Sequence, residues 1–350
     1  MPKKILVVTS ALPFEIGGNL IIAKSLVKKL QEAGFESSLM TVAQNRFGRQ
    51  SSAYLSARFT DVQKTYLDSE VDQIITFRFP SYAVKHHKHV CWLNHRMREY
   101  YDLWDNFYST IKSPFNKVKE IVRRSLIHKI DNYLLTKNVK KLFAQSKNIQ
   151  NRLKRFGGID SEVLYPPPLG NFEYRSESYD DYIFSPSRLT PLKRNSILIK
   201  AFSEIKNSNL KCIIAGEGSE KVELEKLIEG LNLKDRIILS GHVGPDKLSE
   251  FYGRALAVFF GPYDEDYGLV TLEAMICKKP VITFTDSGGP TELVENDING
   301  FVIDPLPSNL AEIIDLLYND KNKVKTLGQN GYELSSKISW ENTINKLVIV

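Results

Sequence analysis

Apolar residues recur along this chain in two alternating rhythms. Short, nearly continuous apolar runs are separated by segments whose apolar positions return every three or four residues. Residues 4–9 form the first strand-length run. A loop with Pro13 and Gly17-Gly18 follows. Residues 19–33 then place Leu20, Ile21, Ala23, Leu26, Val27 and Leu30 at helical spacing and stop at Gly34. Further strands are predicted at 37–42, 73–77, 90–93, 141–144 and 162–165. The chain breaks at Pro166-Pro167-Pro168, and the polar stretch to Asp181 has no periodicity, which predicts a linker. A second series follows. Its strands are predicted at 182–185, 210–215, 236–240, 257–260, 281–284 and 301–303, and its helices near 196–206, 220–231, 246–254, 270–277, 290–295 and 310–317. Apolar strands alternating with helices predict parallel sheets covered on both faces. The expected architecture is α/β: two doubly wound, Rossmann-like domains, 1–168 and 182–337, joined by linker 169–181, with a cleft facing the strand C-termini. Trp340, Ile344 and Leu347 predict a last helix within 338–350.

Composition narrows the class. At 350 residues, 42% hydrophobic and 25% charged, the chain is neither fibrous nor disordered and has room for two cores. No run reaches the roughly 18 apolar residues of a membrane span. Lys3-Lys4 before an apolar run resembles a signal peptide, but the run ends at Pro13, Phe14 and Glu15 without a small-residue cleavage site, so a first buried strand and a cytoplasmic location are expected. Three scattered cysteines, Cys91, Cys212 and Cys277, fit buried thiols rather than a disulfide scaffold. The net charge of +6 is uneven. Thirteen Lys/Arg lie between Lys112 and Arg155, opposed by Glu120 and Asp131 alone, so the rest of the chain is net acidic. That stretch is either a solvated surface or a dock for an anionic membrane leaflet. No nucleic-acid motif accompanies it, and no nucleic-acid partner is expected.

Several motifs could carry chemistry. Ala215-Gly216-Glu217-Gly218 follows a strand, but Lys221 replaces the third glycine of a dinucleotide fingerprint. Ala23-Lys24-Ser25 after Gly18 is an incomplete P-loop on a helix surface. His86, His87 and His89 have no matching metal-ligand pattern and read as an exposed polar turn. Asp264-Glu265-Asp266 is either a hard-cation site or a solvated loop with one working acid. Gly268 opens a helical run through Leu269, Val270 and Glu273, whose N-terminal amides would favour a phosphate. Arg188 and Lys193 offer a bidentate fork and a point charge for two phosphates.

Taken in order, these segments resemble the retaining glycosyltransferases of family 4. Glu265-Asp266-Tyr267-Gly268-Leu269-Val270-Thr271-Leu272-Glu273 is similar to that family's pair of glutamates separated by seven residues. Ser187-Arg188-Leu189 with Pro191-Leu192-Lys193 resembles its diphosphate grip. Further resemblances are Gly216 with Gly218, Gly241-His242-Val243, Lys279-Pro280-Val281-Ile282, Asp286-Ser287-Gly288-Gly289-Pro290 and, earlier in the chain, Gly17-Gly18. Trp92-Leu93-Asn94-His95-Arg96-Met97 resembles the family's histidine segment, with Met97 where many members have proline and Asn94 as the competing position.

The resemblance implies the GT-B arrangement and transfer, with retention, from a nucleotide-diphosphate sugar to a hydroxyl acceptor in glycan, lipid-linked saccharide or glycoconjugate synthesis. It implies His95 and Glu265 as catalytic residues. Gly17, Gly18, Arg188, Lys193, Gly216, Tyr267, Gly268, Leu269, Val270 and Glu273 would bind the donor, with Glu273 on the ribose. No metal and no further cofactor is expected, and the acceptor, lipid-linked or not, is left open. Rival expectations are a sugar-nucleotide epimerase or hydrolase on the same architecture, and a non-catalytic subunit that binds nucleotide sugar.

Overall fold

The computed structural model describes residues 2–12, 17–45 and 48–350; Pro13, Phe14 and Glu15 lie outside the described residues. The chain forms two compact units, one of Met1–Leu169 with Trp340–Val350 and one of Gly170–Ser339.

Unit 1 is built on strands β1 (Lys4–Ala11), β2 (Glu36–Ala43), β3 (Gln73–Thr76), β4 (His89–Leu93), β5 (Lys141–Ala144) and β6 (Glu162–Val163), all parallel in the order β2-β1-β3-β4-β5-β6. Its helices are α1 (Gly18–Glu32), α2 (Gln50–Phe59), α3 (Trp104–Thr110), α4 (Pro114–Tyr133) and α5 (Lys147–Gly157). β3 and β4 are buried at every position, as strands covered on both faces must be. The core gathers Val8, Ile74, Cys91, Leu93, Leu134 and Leu153.

Unit 2 contains β7 (Tyr182–Pro186), β8 (Lys211–Ala215), β9 (Ile237–Gly241), β10 (Ala257–Phe259), β11 (Val281–Phe284) and β12 (Gly300–Ile303), parallel in the order β12-β11-β10-β7-β8-β9. Helices α6 (Asn195–Phe202), α7 (Lys221–Gly230), α8 (Pro245–Arg254), α9 (Leu269–Ile276), α10 (Pro307–Asn319) and α11 (Lys321–Ser335) flank it. This is the doubly wound Rossmann order read from one edge to the other. Ile183, Ile214, Phe259, Ile282, Leu310 and Ile314 anchor its core.

Two local outcomes differ from the periodicity. The helix expected at 290–295 is a single 3-10 turn, Gly289–Glu292; just beyond it the Asn299 side chain takes the backbone bonds, accepting from Glu295 N–H at 2.8 Å and donating to the Leu293 carbonyl at 3.0 Å. The stretch expected as a linker lacks secondary structure but packs on unit 2. Phe172 stacks on Tyr252 at 5.3 Å, Arg175 Nε donates to Ser249 Oγ at 2.8 Å, and Glu177 N–H donates to the Gly253 carbonyl at 2.8 Å. Helix α12 (Trp340–Leu347) belongs to unit 1. Gln73, fully buried in β3, donates to the Leu347 carbonyl at 2.6 Å and accepts from Ile349 N–H at 2.8 Å. Trp340 meets Trp92 edge-on and donates to the Pro168 carbonyl. Among the described residues, no helix is long and apolar enough to cross a membrane.

Candidate functional site

The unit 2 sheet reverses its building direction between β7 and β10, and the loops leaving the carboxyl ends of those strands diverge there. In doubly wound sheets this switch point opens a ligand crevice. Arg188 lies just beyond β7 and is exposed. Its loop is positioned by Gly216, just beyond β8. Ser187 N–H donates to the Ala215 carbonyl and Leu189 N–H to the Glu217 carbonyl, both at 3.0 Å. A Cβ on Gly216 would stand 2.1 Å from the Ser187 carbonyl oxygen, so only glycine allows this approach.

Three loops are zipped together at the crevice. Tyr263 N–H donates to the Leu192 carbonyl, Asp264 N–H to that of Asp286 and Glu265 N–H to that of Ser287, while Gly289 N–H returns to the Glu265 carbonyl. A parallel bridge, Glu265 to Gly288, thus fixes the backbone of Glu265. Lys193 closes the 3-10 turn Pro191–Lys193, and its Nζ pairs with Glu265 Oε2 at 2.6 Å, the two side chains being 11% and 27% exposed. The two sequence candidates meet directly, and each charge neutralises the other.

Arg194, which no motif in the sequence marks, is held by four side-chain hydrogen bonds here. Its φ of 53° turns the chain into α6. Its guanidinium donates to both carboxylate oxygens of Asp286, at 2.6 and 2.8 Å, and to the carbonyls of Gly261 and Pro262 at 2.9 and 2.7 Å. A planar fork suits this bidentate task, and lysine would not replace it. The signal was slight: one more cation beside Lys193, and an acid 92 residues away.

Gly268 caps α9 with a φ of 85°, and a Cβ there would meet Pro290 Cγ at 2.9 Å. Leu269 and Val270, half-buried, begin the helix and present its amide end beside Glu265, while Tyr267 is buried. Glu273 lies one turn in and is buried. Tyr252 OH donates to its Oε2 at 2.8 Å, and Asn171 adds a second bond. Burial outweighs both and pushes the Glu273 carboxyl up to about 7.

In unit 1 the sheet switches between β1 and β3. Gly17 caps α1 and Gly18 is its first residue. His95 lies on the loop after β4, and its Nδ1–H donates to the Arg96 carbonyl at 2.6 Å. His95 lines a recess with Arg96, Arg98, Asp102 and Arg152. Asn94 instead points to Gln145, at 3.3 Å.

The three-histidine cluster is not an exposed turn. His86 is buried with its ring between the Val71 and Lys88 carbonyls, and His89 is buried against Thr76 Oγ1 at 2.8 Å. Burial holds the imidazole of His89 neutral, far below its ordinary range, at about 3. Among the described residues, no three His, Cys, Asp or Glu side chains group as metal ligands.

Residues 171–334, nearly all of unit 2, match the family described as Glycosyl transferases group 1. The chain is 32% identical over 221 residues to an uncharacterized glycosyltransferase of Methanocaldococcus jannaschii, covering 60% of this chain and 58% of that protein. It is 34% identical over 165 residues to a poly(ribitol-phosphate) alpha-N-acetylglucosaminyltransferase of Staphylococcus aureus, covering 46% of this chain and 33% of that protein. The chain therefore spans little more than half of one relative and a third of the other. Anabaena HepE, solved in complex with UDP and glucose, shares the fold with a TM-score of 0.69 at 19% identity, over 97% of both chains. Two Rossmann-like units of the GT-B class are thus what the sequence led one to expect and what the chain forms.

Proposed function

From the match of residues 171–334 to the group 1 glycosyl transferases we propose that the chain moves a glycosyl group, with retention, from a nucleotide-diphosphate sugar to a hydroxyl acceptor. The observation that carries this reading is the convergence of Arg188, the Lys193–Glu265 pair and the amide end of α9 at the switch point of one sheet. As the bond from sugar to diphosphate breaks, negative charge grows on the departing phosphate. Arg188, Lys193 and the α9 amides stabilise it increasingly along that path, which is how binding becomes rate. These cations supply the counter-charge that a metal would otherwise bring, so the proposal calls for none.

The ion pair gives the sequence of events a physical form. An arriving diphosphate offers Lys193 two negative charges in place of one. Lys193 turns to it, and Glu265 is released to accept hydrogen bonds from the sugar hydroxyls. Glu273, set deeper, accepts from the ribose. In unit 1, His95 and the amide end of α1 are the candidates for contact with sugar or acceptor. The complex of HepE with UDP and glucose supports a donor of this chemical class. Glu265→Gln is expected to lower transfer at least a hundredfold while calorimetric nucleotide affinity stays within a few-fold of wild type, because Lys193 is then unpaired and still reaches the phosphates. Unchanged turnover refutes the role of Glu265. Inversion at the anomeric carbon, read by NMR of the product, refutes retention.

A further inference from the structure

Helix α4 has two unlike faces. Its inner face is part of the unit 1 core: Ile127 and Asp131 are buried, and Asp131 accepts from the hydroxyls of Tyr54, Tyr82 and Tyr101. Its outer face carries Phe115, Val118, Val122, Leu126, Ile130 and Tyr133, spaced by three or four residues and between 40% (Ile130) and 78% (Phe115) exposed. This places six large apolar side chains in one stripe along a helix about 30 Å long. A contiguous apolar surface of that size marks a contact that the isolated chain does not make.

The charges identify the occupant. Lys119 and Lys129 are exposed and fall within the same arc as the apolar stripe. Lys112 and Lys137, also exposed, stand beyond its two ends. The helix has two acids, and both turn away from that face. Asp131 is held by its three tyrosines, while Glu120 accepts from Tyr100 OH at 2.9 Å and pairs with Arg123 at 2.5 Å. Two copies packed stripe to stripe would bring four lysines into one seam with no acid of α4 to meet them. A surface that is apolar at depth and anionic at its edge takes both halves of the pattern.

We propose that α4 seats this protein on an anionic lipid bilayer. The helix lies in the plane of the interface, with Phe115, Val122 and Leu126 at the acyl boundary and Lys119 and Lys129 among the headgroups. The contact is independent of donor and acceptor, so it stands or falls apart from the reaction proposed above.

The test is co-sedimentation of the full chain with vesicles of phosphatidylcholine alone or of equal parts phosphatidylcholine and phosphatidylglycerol, without substrates. Binding is expected to the anionic vesicles only and to weaken as salt rises. Lys119→Glu with Lys129→Glu should weaken it by at least twenty-fold, at about fivefold per lysine lost. Val122→Ser with Leu126→Ser should weaken it about tenfold or more at unchanged salt dependence. Both double variants change exposed positions, and circular dichroism should show them folded. Equal failure of the wild type on both vesicles at low salt overturns the proposal. So does a wild-type dimer in sedimentation velocity that Val122→Ser with Leu126→Ser dissociates without any change in vesicle binding.

Discussion

Replacing Glu273 by Gln is expected to stabilise unit 2 while removing a ligand contact. The Glu273 carboxyl is buried on α9 and bonded by Tyr252 and Asn171, neither of which carries a positive charge. Burial raises it from 4.5 to about 7. The folded state then binds a proton more tightly than the unfolded chain. Its stabilising contribution is complete below pH 4.5 and is lost as pH rises through about 7. At ~1.36 kcal/mol for each pH unit, holding the carboxylate at pH 8 costs roughly 3 kcal/mol. Gln stays neutral at every pH, and its oxygen can still accept from Tyr252. Glu273→Gln should therefore match the wild type near pH 4.5 and exceed it by about 3 kcal/mol at pH 8, roughly 6–12 °C in the melting of a unit of this size. Thermal unfolding of both proteins at pH 5 and pH 8 measures the difference. The same substitution should weaken nucleotide binding, and wild-type nucleotide affinity should rise between pH 6 and 8 as the carboxylate forms. A Gln variant that is no more stable than the wild type at pH 8 refutes the argument, since an ionised Glu273 would then be at no disadvantage in its burial.

Two further outcomes follow from the same geometry. Asp286→Ala removes both acceptors of the Arg194 fork and should lower unfolding free energy by about 1–3 kcal/mol in urea titrations; no loss would mean that the Gly261 and Pro262 carbonyls hold Arg194 alone. All three cysteines are buried, with the thiols of Cys91 and Cys277 pushed up to about 12 and that of Cys212 also raised, so a chromogenic disulfide should titrate none in the native protein and all three after denaturation. Fast native reaction at any of them refutes the burial.

The sheets were legible because parallel strands covered on both faces are apolar throughout, and a run such as Val281–Phe284 announces itself without its neighbours. The linear order of site loops was legible for a similar reason: glycines and acids at fixed spacing mark strand ends. What the chain hid was contact across sequence. Lys193 and Glu265 were each visible, but 72 residues separate them, and nothing local says that one neutralises the other. Arg194 looked like a spare cation beside Lys193. The charge of 112–155 was visible as a total, whereas its meaning depended on which way α4 turns. Asp131 and Glu120 face inward, and the apolar residues that periodicity would assign to the core face outward. Helix α11 leaves little mark on the sequence because two glycines and a polar composition mask the few residues, Val324 and Leu327, that it sends into the core.

The return of α12 to unit 1 sets an order on how the molecule is made. The first 169 residues leave the ribosome before any of unit 2, yet the buried amide of Gln73 finds its partners only when Leu347 and Ile349 emerge. Until then that amide must stay hydrated or remain unpaired in a closing core. Trp92 likewise waits for Trp340, and Glu162 for Lys346. Unit 2, contiguous from Gly170 to Ser339, can finish while unit 1 still lacks α12. No single cut of the chain therefore yields two whole units, and the unit begun first is the last to be completed.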